Sequence, residues 1–467
     1  MKHRQILVFA VVLLGILLRT HQISYNFDGD ELFSVQAASG SFSQLLAMSV
    51  QDRTHPPLHL FVLYCWIKVW GSSETSTRLL SVVASLFFLL LVTSIARRWM
   101  KDWPALFVLT LSAVSPFFVY FGQQARPYSF IALFSSLTVV LFLKAHEDPS
   151  RKTWEVAYGF ACAALMYSQY VGALLLMPQF AFTIFSKSPR RRGLLVWGMA
   201  GMFAILPWVL MLGRDLVPGQ GKLETNIGWI PRPTLFSLFS YYVWLFGWLP
   251  LHGSTRILLL LSIVGLSSLA LRYKSIDRRV FFFILTLALL QPLVLFVFSV
   301  FGPLSVWATR QVIGSAVFLF CLLGLALGLH RRPIGIALGV VLIGWCGLGL
   351  QDAFPEHSKP PWRSVASLVD AKCAGCDVVG AEKWISYPLG HYAKTTVDDF
   401  PGYGSRVGQA DRVMFLCRPA RCETFRSFSP FYKTTGQNRI TWSLVSSSET
   451  EMVDVYFLEK TQAIHNP

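Results

Sequence analysis

Asn-Phe-Asp-Gly-Asp-Glu-Leu, residues 26–32, is the first long polar stretch of the sequence, and Asp-Arg-Thr-His-Pro-Pro, residues 52–57, closes the segment that it opens. Three carboxylates lie within four positions, between one very apolar segment and a series of others. Charge beside hydrocarbon is costly, so it persists mainly where binding or chemistry uses it. Asp28 or Asp30 could simply cap a helix that begins near Glu31, but capping explains one carboxylate and not three. The stretch therefore predicts a functional site beside a membrane.

The composition is that of a membrane protein. Of the 467 residues, 54% are hydrophobic and only 14% are charged, and the mean hydropathy is +0.50. Soluble domains carry about 25% charged residues. The net charge of +16 would suggest nucleic acid in a soluble protein, but here much of the excess lies in short loops between apolar runs. That placement follows the positive-inside rule and excludes nucleic acid as the expected partner.

The basic clusters fix a predicted topology. The first apolar segment, residues 6–18, follows a basic start and lacks a small-residue cleavage site after it, so it predicts an uncleaved span with a cytoplasmic N-terminus. If every later basic cluster is cytoplasmic, an even number of membrane crossings must separate neighbouring clusters. About eleven spans meet this condition. The predicted spans lie near residues 5–20, 77–96, 104–122, 129–146, 154–170, 171–187, 194–212, 254–271, 280–301, 311–329 and 334–351.

Two further apolar stretches are residues 57–71 and 235–251. If both crossed the membrane, several basic clusters would be placed on the outer face. We interpret both as juxtamembrane or re-entrant helices on the outer face. The same face then receives the polar stretch, the turn 123–128 and other charged connections. This convergence predicts one shared site in the outer compartment. The expected organisation is a membrane domain, 1–351, whose first outer loop is 21–76, and an outer domain, 352–467.

The outer domain has the composition of a soluble α/β domain. Strands and helices alternate in it, which is typical of a small α/β fold. Cys373 and Cys376, with Cys417 and Cys422, could bind zinc or form two disulfides. An oxidising compartment favours disulfides, and the sequence leaves all three pairings open. The predicted elements are helices at 362–372 and 384–394 and strands at 377–380, 412–417, 441–446 and 452–458.

The outer-face polar residues are suited to group transfer. A hydroxyl or amine acceptor needs a base to take its proton, and a carboxylate at the membrane boundary has the raised pKa that this task requires. Asp30 is our primary candidate, with Glu31 as its partner. A donor anchored in the bilayer would carry a phosphate, which needs cations at the same depth, and arginine binds phosphate through its planar fork. The candidate cations are Arg53, His55, Arg126 and Arg310.

Each of these cations also has a plainer interpretation. Arg126 and Arg310 could be arginines that extend from helix ends to the interface, and His55 could cap a turn.

Other chemistries lack support in the sequence. No glycine-rich phosphate loop of the Gly-x-x-x-x-Gly-Lys-Ser type is present, and neither Gly-x-Ser-x-Gly nor His-Glu-x-x-His occurs.

The order of these motifs resembles the membrane-embedded GT-C glycosyltransferases, in particular the dolichyl-phosphate-mannose protein mannosyltransferase-like group and the lipid A aminoarabinose transferases. Asp30-Glu31 follows a short first span, and His55-Pro56-Pro57-Leu58 follows in turn. Residues 123–129, Gln-Gln-Ala-Arg-Pro-Tyr-Ser, are similar to the Glu/Gln-Ala-Arg-x-Tyr turn of bacterial members. Trp-Ala-Thr-Arg, residues 307–310, is similar to a late arginine segment of the family, although Gln311 stands where tyrosine follows in relatives.

The resemblance implies a sugar donor carried on a polyprenyl phosphate and an acceptor on the outer face of a bacterial inner membrane. It implies that Asp30 is the catalytic carboxylate, that Glu31 supports it, and that His55 lies near the lipid phosphate. Asp28, Gln124 and Tyr128 are further candidates for substrate binding. The resemblance names no firm cofactor and leaves a divalent cation open. Two alternatives of other classes are a flippase for lipid-linked sugars and a non-catalytic subunit of an envelope complex.

Overall fold

The computed structural model describes most of the chain. We give no account of the remaining residues, so the predicted span at 254–271 and most of the loop at 213–234 lie outside the described part. The described residues are 2–148, 150–186, 189–213, 226–247, 277–373, 375–418, 422, 427–428, 431–443 and 450–460.

The chain forms two compact units. The first contains residues 1–23 and 34–353, and the second contains residues 24–33 together with 354–467. The division near residue 353 lies close to the boundary that the change in composition predicts. The short segment 24–33 packs with the second unit although the sequence places it in the membrane domain. Contacts with the C-terminal region, described below, account for this difference.

The first unit is helical, and the predicted multi-span membrane architecture is confirmed. Seven described helices are long and apolar enough to cross a membrane, or eight if one bent pair is a single span. The full count of about eleven spans stays a prediction. The helices of this unit are α1 (Lys2–Thr20), α2 (Gly29–Ser39, whose first turn belongs to the second unit), α3 (Phe42–Asp52), α4 (Leu58–Trp70), α5 (Glu74–Trp99), α6 (Asp102–Val114), α7 (Pro116–Gly122), α8 (Tyr128–Glu147), α9 (Thr153–Ser168), α10 (Ala173–Phe185), α11 (Arg191–Phe203), α12 (Leu206–Leu212), α13 (Leu235–Trp244), α14 (Arg278–Phe301), α15 (Ile313–Gly328) and α16 (Arg332–Gly349).

The bent pair is α6 and α7, which the sequence predicts as one continuous span. The two helices meet at 51°. Ser115 between them has an extended ψ of 122°, and Pro116 begins the second helix. Proline supplies no backbone N–H and disfavours helical geometry in the residue before it, so the helix breaks at this point.

The short helices before the first long span end at recognisable signals. Ser41 and Gln44 form a capping box at the start of α3, and Arg53 ends that helix in the left-handed region at φ 53°. Pro57 stands at the N-cap of α4, and Gly71 ends α4 at φ 79°. Helix α4 is too short to count among the candidate spans. These boundaries place residues 52–57 in a tight connection between two helices.

Helix α8 begins at Tyr128, directly after Pro127, and thereby fixes the turn that carries Arg126. It packs against α5 and α9, and α4 packs against the same two helices. His59 in the first turn of α4 contacts Phe130 in the first turn of α8, with ring centroids 5.4 Å apart. The starts of α4 and α8 are therefore held together by packing within the first unit.

The second unit is built around a five-stranded mixed sheet with the order β2-β1-β3-β5-β4. Strand β1 pairs in parallel with β2 and β3, while β5 pairs antiparallel with β3 and β4. Helices α18 and α19 cover one buried cluster that includes Trp362, Val365 and Ile385. The elements are α17 (Pro355–Ser358), α18 (Trp362–Lys372), β1 (Asp377–Gly380), α19 (Lys383–Tyr392), β2 (Val397–Asp399), α20 (Phe400–Tyr403), β3 (Arg412–Cys417), β4 (Tyr432–Ser443) and β5 (Thr450–Lys460).

The predicted α/β arrangement is confirmed, with two differences. Strand β2 does not appear in the prediction, because Val-Asp-Asp is three residues long and mostly polar. Strand β4 begins at Tyr432, well before the predicted strand at 441–446, and ends at Ser443. Its early residues are polar, and pairing with β5 rather than an apolar pattern holds them in the sheet.

The four cysteines of the second unit form two disulfides, as expected for an oxidising compartment. Cys373 pairs with Cys376, and Cys417 pairs with Cys422. Each bridge closes a short loop, so the structure selects one of the three pairings that the sequence leaves open. Cys162, Cys321 and Cys346 are free and buried in the first unit.

Candidate functional site

Four of the predicted site residues, Asp28, Glu31, His55 and Arg126, fall into two groups, one in each unit. We call Asp28, Glu31 and Lys359 the lysine group, and Asp52, His55 and Arg126 the arginine group. The first belongs to the unit formed by 24–33 and 354–467, and the second to the unit formed by 1–23 and 34–353.

The lysine group is organised by the start of α2. Asp28 accepts a hydrogen bond from the backbone N–H of Glu31 at 2.8 Å, and the Glu31 carboxylate accepts one from the Asp28 N–H at 3.3 Å. This reciprocal arrangement is a capping box, which Asp-x-x-Glu at residues 28–31 allows. Two of the three carboxylates therefore stabilise the helix start.

Lys359 neutralises this pair from the other end of the chain. Its Nζ lies 3.1 Å from Asp28 Oδ2 and 2.5 Å from Glu31 Oε2. The Glu31 side chain is fully buried and that of Lys359 is 3% exposed. Burial raises the pKa of Asp28, while Lys359 acts in the opposite direction. Sequence reasoning missed Lys359, because 328 residues separate it from Glu31.

Neighbouring contacts explain why segment 24–33 joins the second unit. The Asn26 side-chain amide donates to the Pro360 carbonyl at 2.8 Å. The Phe27 N–H donates to the Tyr392 hydroxyl at 2.7 Å. Together with Lys359, these bonds tie the polar stretch to the region that precedes and includes the sheet domain.

Asp30 differs from its two acidic neighbours because it is exposed in the first turn of α2. A carboxylate that reaches solvent can exchange a proton with an acceptor or with water, whereas one enclosed in an ion pair cannot do so easily. The geometry of the stretch thus separates a capping aspartate, a buried glutamate and an accessible aspartate. Asp30 is the exposed carboxylate of the three.

The arginine group is built on a close local pair. Asp52 Oδ2 lies 3.0 Å from His55 Nδ1, at a spacing of three residues. Thr54 also hydrogen-bonds the Asp52 carboxylate. The amide of Asn226 donates to the Asp52 backbone carbonyl at 2.6 Å. The connection between α3 and α4 is therefore held by side chains that orient the His55 ring.

Arg126 completes this group from the turn before α8. Its guanidinium donates to the Ser34 hydroxyl at 2.9 Å and lies 3.4 Å from the His55 ring nitrogens. Arg126 is only 6% exposed. With Nδ1–H directed at Asp52, His55 Nε2 can accept from Arg126. The result is a buried, oriented cation whose neighbours form a connected network.

The Asp52 carboxylate is ionised in this setting. Burial alone would raise its pKa, but His55 and Arg126, with hydrogen bonds from His55 and Thr54, outweigh burial and lower the pKa to about 2. Asp52 therefore stays negative at neutral pH and balances one positive charge of the group. The sequence contains the signal for this pair, an aspartate three residues before a histidine, although the predicted site includes only His55.

The remaining candidates occupy other positions. Arg53 lies at the left-handed end of α3 and donates to the Gln51 carbonyl at 3.1 Å. Arg310 stacks over the Trp229 ring, 5.2 Å from its centroid. Gln124 is buried, and its backbone carbonyl accepts from Ser81. Tyr128 is buried with its ring 4.7 Å from that of Phe121. Their predicted roles in phosphate or substrate binding stay predictions.

Metal binding has no assembled ligand set in the part of the chain that the structure describes. There, no three histidine, cysteine, aspartate or glutamate side chains come together in an arrangement that could hold a metal ion. The dependence on a divalent cation that the family resemblance leaves open stays open, and no role below is assigned to a metal.

Comparisons with known proteins agree with this architecture. Residues 54–211 match the family model for dolichyl-phosphate-mannose-protein mannosyltransferase, a range that includes His55 and the 123–128 turn. No curated protein sequence matches the chain significantly.

Among solved structures, the chain is similar to ArnT from Cupriavidus metallidurans bound to undecaprenyl phosphate, with a TM-score of 0.57, 14% identity, and coverage of 96% of this chain and 97% of that one. The apo form of the same protein matches with a TM-score of 0.47, 15% identity, and coverage of 97% and 98%. The archaeal oligosaccharyltransferase AglB from Archaeoglobus fulgidus matches with a TM-score of 0.47, 11% identity, and coverage of 88% and 69%. The chain therefore has a multi-pass membrane fold of the GT-C type that is similar to that of ArnT, and residues 54–211 are similar to the dolichyl-phosphate-mannose-protein mannosyltransferase family.

Proposed function

We propose that this protein is a glycosyltransferase that moves a sugar from a polyprenyl-phosphate donor to an acceptor on the outer face of a bacterial inner membrane. The observation that carries the proposal is the arginine group. It presents a buried guanidinium that Ser34 and His55 orient, and Asp52 in turn orients His55. A preorganised arginine of this kind suits a phosphate, which arginine binds through two parallel hydrogen bonds. The ArnT structure with a similar fold was solved with undecaprenyl phosphate, which supports the same donor class.

The chemistry of the step explains what such a cation does. The acceptor hydroxyl or amine attacks the anomeric carbon of the sugar, and the bond between that carbon and the phosphate oxygen breaks. The donor phosphodiester carries one negative charge, and the released polyprenyl phosphate carries one more. Arg126 stabilises the negative charge that develops on the leaving oxygen, with His55 as its neighbour.

Asp30 takes the proton that the acceptor loses. Its exposure allows it to meet an acceptor and to return the proton to water after transfer. Glu31, enclosed with Lys359, fixes the helix start that carries Asp30. In this scheme Asp28 and Glu31 position the base, and neither of them exchanges protons during transfer.

Replacing the proposed base tests the scheme. Asp30→Asn keeps the shape of the side chain but removes its basicity, so we expect transfer to fall at least about a hundredfold while the protein still reaches the membrane. Mass spectrometry of envelope lipids and glycans from cells that produce the wild type or Asp30→Asn would measure the product. Asp411→Asn, which alters an exposed carboxylate elsewhere in the second unit, is the matched control and should leave the product unchanged.

A transport assay in liposomes, together with this experiment, separates the two alternatives. A flippase would move labelled lipid donor across liposomes that contain the protein without forming a glycosidic bond. A non-catalytic subunit would show neither activity, and Asp30→Asn would then leave the envelope composition as it is in the wild type. Full product formation by Asp30→Asn would contradict the assignment of Asp30 as the base.

A further inference from the structure

His59 is a buried polar side chain whose hydrogen-bonding capacity is not used within the described part of the chain. It is 2% exposed. Neither Nδ1 nor Nε2 has a hydrogen-bond partner among the residues that the structure describes. Buried histidines normally bond through at least one ring nitrogen, because leaving a buried donor or acceptor unsatisfied costs free energy. An apolar residue at this position would avoid that cost.

His59 packs among residues that lie close in sequence to the arginine group. It lies four residues after His55, in the first turn of α4. Its ring meets Phe130 edge-on at an interplanar angle of 88°, and Phe130 lies four residues after Arg126. Burial, and then electrostatic interactions with Arg126 and His55, lower the pKa of His59 to about 3. The ring is therefore neutral at physiological pH, with one N–H donor and one nitrogen acceptor.

A neutral imidazole within electrostatic range of a buried arginine suits one class of ligand. A phosphate oxygen can accept from the ring N–H, and a sugar hydroxyl can donate to the other nitrogen. A second fixed cation would bind phosphate as well, but it would repel Arg126 in the empty protein. The neutral ring provides a hydrogen bond to the phosphate without adding another charge.

We propose that His59 is a binding residue for the phosphate-sugar headgroup of the donor, and that its ring N–H donates to the phosphate beside Arg126. This inference rests on the proposed function, since it assumes a polyprenyl-phosphate donor at the arginine group. It assigns a contact that neither the sequence motifs nor the family resemblance indicate. It also accounts for a polar side chain placed in an apolar helix turn.

The inference predicts opposite effects on stability and on binding. His59→Phe retains a planar ring and removes the unsatisfied nitrogens, so the thermal midpoint of the ligand-free protein should rise. The same change removes a hydrogen bond to a charged group, so the Kd for undecaprenyl phosphate should rise about tenfold. Both quantities are measured on the full-length protein in detergent, by thermal unfolding with and without undecaprenyl phosphate and by titration with that lipid.

His146→Phe is the matched control. His146 also lies among aromatic rings, near Phe142 and Phe182, but its Nδ1 lies 3.2 Å from the Phe142 carbonyl. The phenylalanine variant should lower the thermal midpoint and leave the Kd for undecaprenyl phosphate unchanged. His59→Gln keeps a donor and an acceptor, so its Kd should lie between those of the wild type and His59→Phe. It also tests the proposal if His59→Phe does not fold.

The outcomes distinguish the failure of this inference from the failure of the proposed function. If the wild type binds undecaprenyl phosphate and His59→Phe binds it equally well, the role of His59 is wrong and the donor class stands. A fall in the thermal midpoint of His59→Phe to the level of His146→Phe would indicate an ordinary packing role and would also overturn the inference. If the wild type does not bind undecaprenyl phosphate, the donor class fails and the role of His59 fails with it.

Discussion

The lysine group and the arginine group have similar compositions, but their charged side chains are held by different kinds of contact. Each contains carboxylate together with a buried cation, Lys359 in one group and Arg126 in the other. In the lysine group, the fully buried Glu31 is bound by a lysine from the far end of the sequence. In the arginine group, the aspartate and histidine are local, and the cation is held by a hydroxyl and a ring nitrogen. The first arrangement joins distant segments of one unit, and the second orients a guanidinium through neighbouring side chains.

The difference shows that burial of charge does not by itself mark a catalytic residue. The sequence places Asp30 and Glu31 together as catalytic candidates, but their surroundings differ completely. Glu31 is enclosed and Asp30 is exposed. We therefore expect changes in the lysine group to act on stability, and changes in the arginine group to act on transfer.

The largest effect should come from Lys359→Met. This change leaves Glu31 as a buried charge with its main cation removed, and breaking a buried pair in this way costs about 3–5 kcal/mol. Denaturation in detergent, followed by intrinsic fluorescence, would measure the loss. Lys433→Met, an exposed lysine on β4, is the matched control and should stay close to the wild type.

A double-mutant cycle sharpens this test. Glu31→Gln combined with Lys359→Met removes both charges, so the double variant should be less destabilised than the sum of the two single variants. Additive effects would show that Lys359 and Glu31 do not interact energetically, and the structural role of the lysine group would be wrong.

The next effect should come from Arg126→Gln, and it should appear mainly in transfer. Loss of a donor that stabilises a developing oxyanion costs about a hundredfold to a thousandfold in rate. Arg126→Lys should recover part of the activity, because lysine keeps the charge but loses the bidentate geometry. Arg98→Gln, which breaks the ion pair of Arg98 with Glu147 at 2.8 Å, is the control and should retain full activity. An active Arg126→Gln would remove the proposed phosphate site.

The sequence predicts one part of this molecule better than the other. The spans and the elements α18, β1 and β3 follow from local hydropathy and periodicity, and the structure gives 362–372, 377–380 and 412–417 at the predicted bounds. Local patterns also lead to Asp30 and His55. They do not lead to Lys359, because only the folded chain brings it to Glu31.

His59 was missed for a different reason. It lies in a helix that is otherwise almost wholly apolar, so the hydrophobic periodicity of the sequence does not mark His59 as functional. Its significance depends on the absence of hydrogen-bond partners among the described residues. A sequence shows which groups can donate or accept, but only coordinates show which of those groups are left without a bond.

The smallest expected effect is that of Asp52→Asn. Asp52 belongs to the arginine group, but it has a structural role, as the carboxylates of the lysine group do. The pKa of Asp52 falls from 3.8 to about 2 in the folded protein. A carboxyl group whose pKa is lowered on folding stabilises the protein above its unfolded pKa, and that stabilisation is lost as pH falls through the folded pKa. The wild type should therefore lose about 2 kcal/mol between about pH 4 and about pH 2 that Asp52→Asn does not lose. Unfolding curves in detergent across this range would measure the difference. Parallel pH dependence in the two proteins would show that His55 and Arg126 do not hold Asp52 in its charged form. At neutral pH the asparagine also weakens the orientation of His55, so transfer should fall about tenfold to a hundredfold, less than in Arg126→Gln.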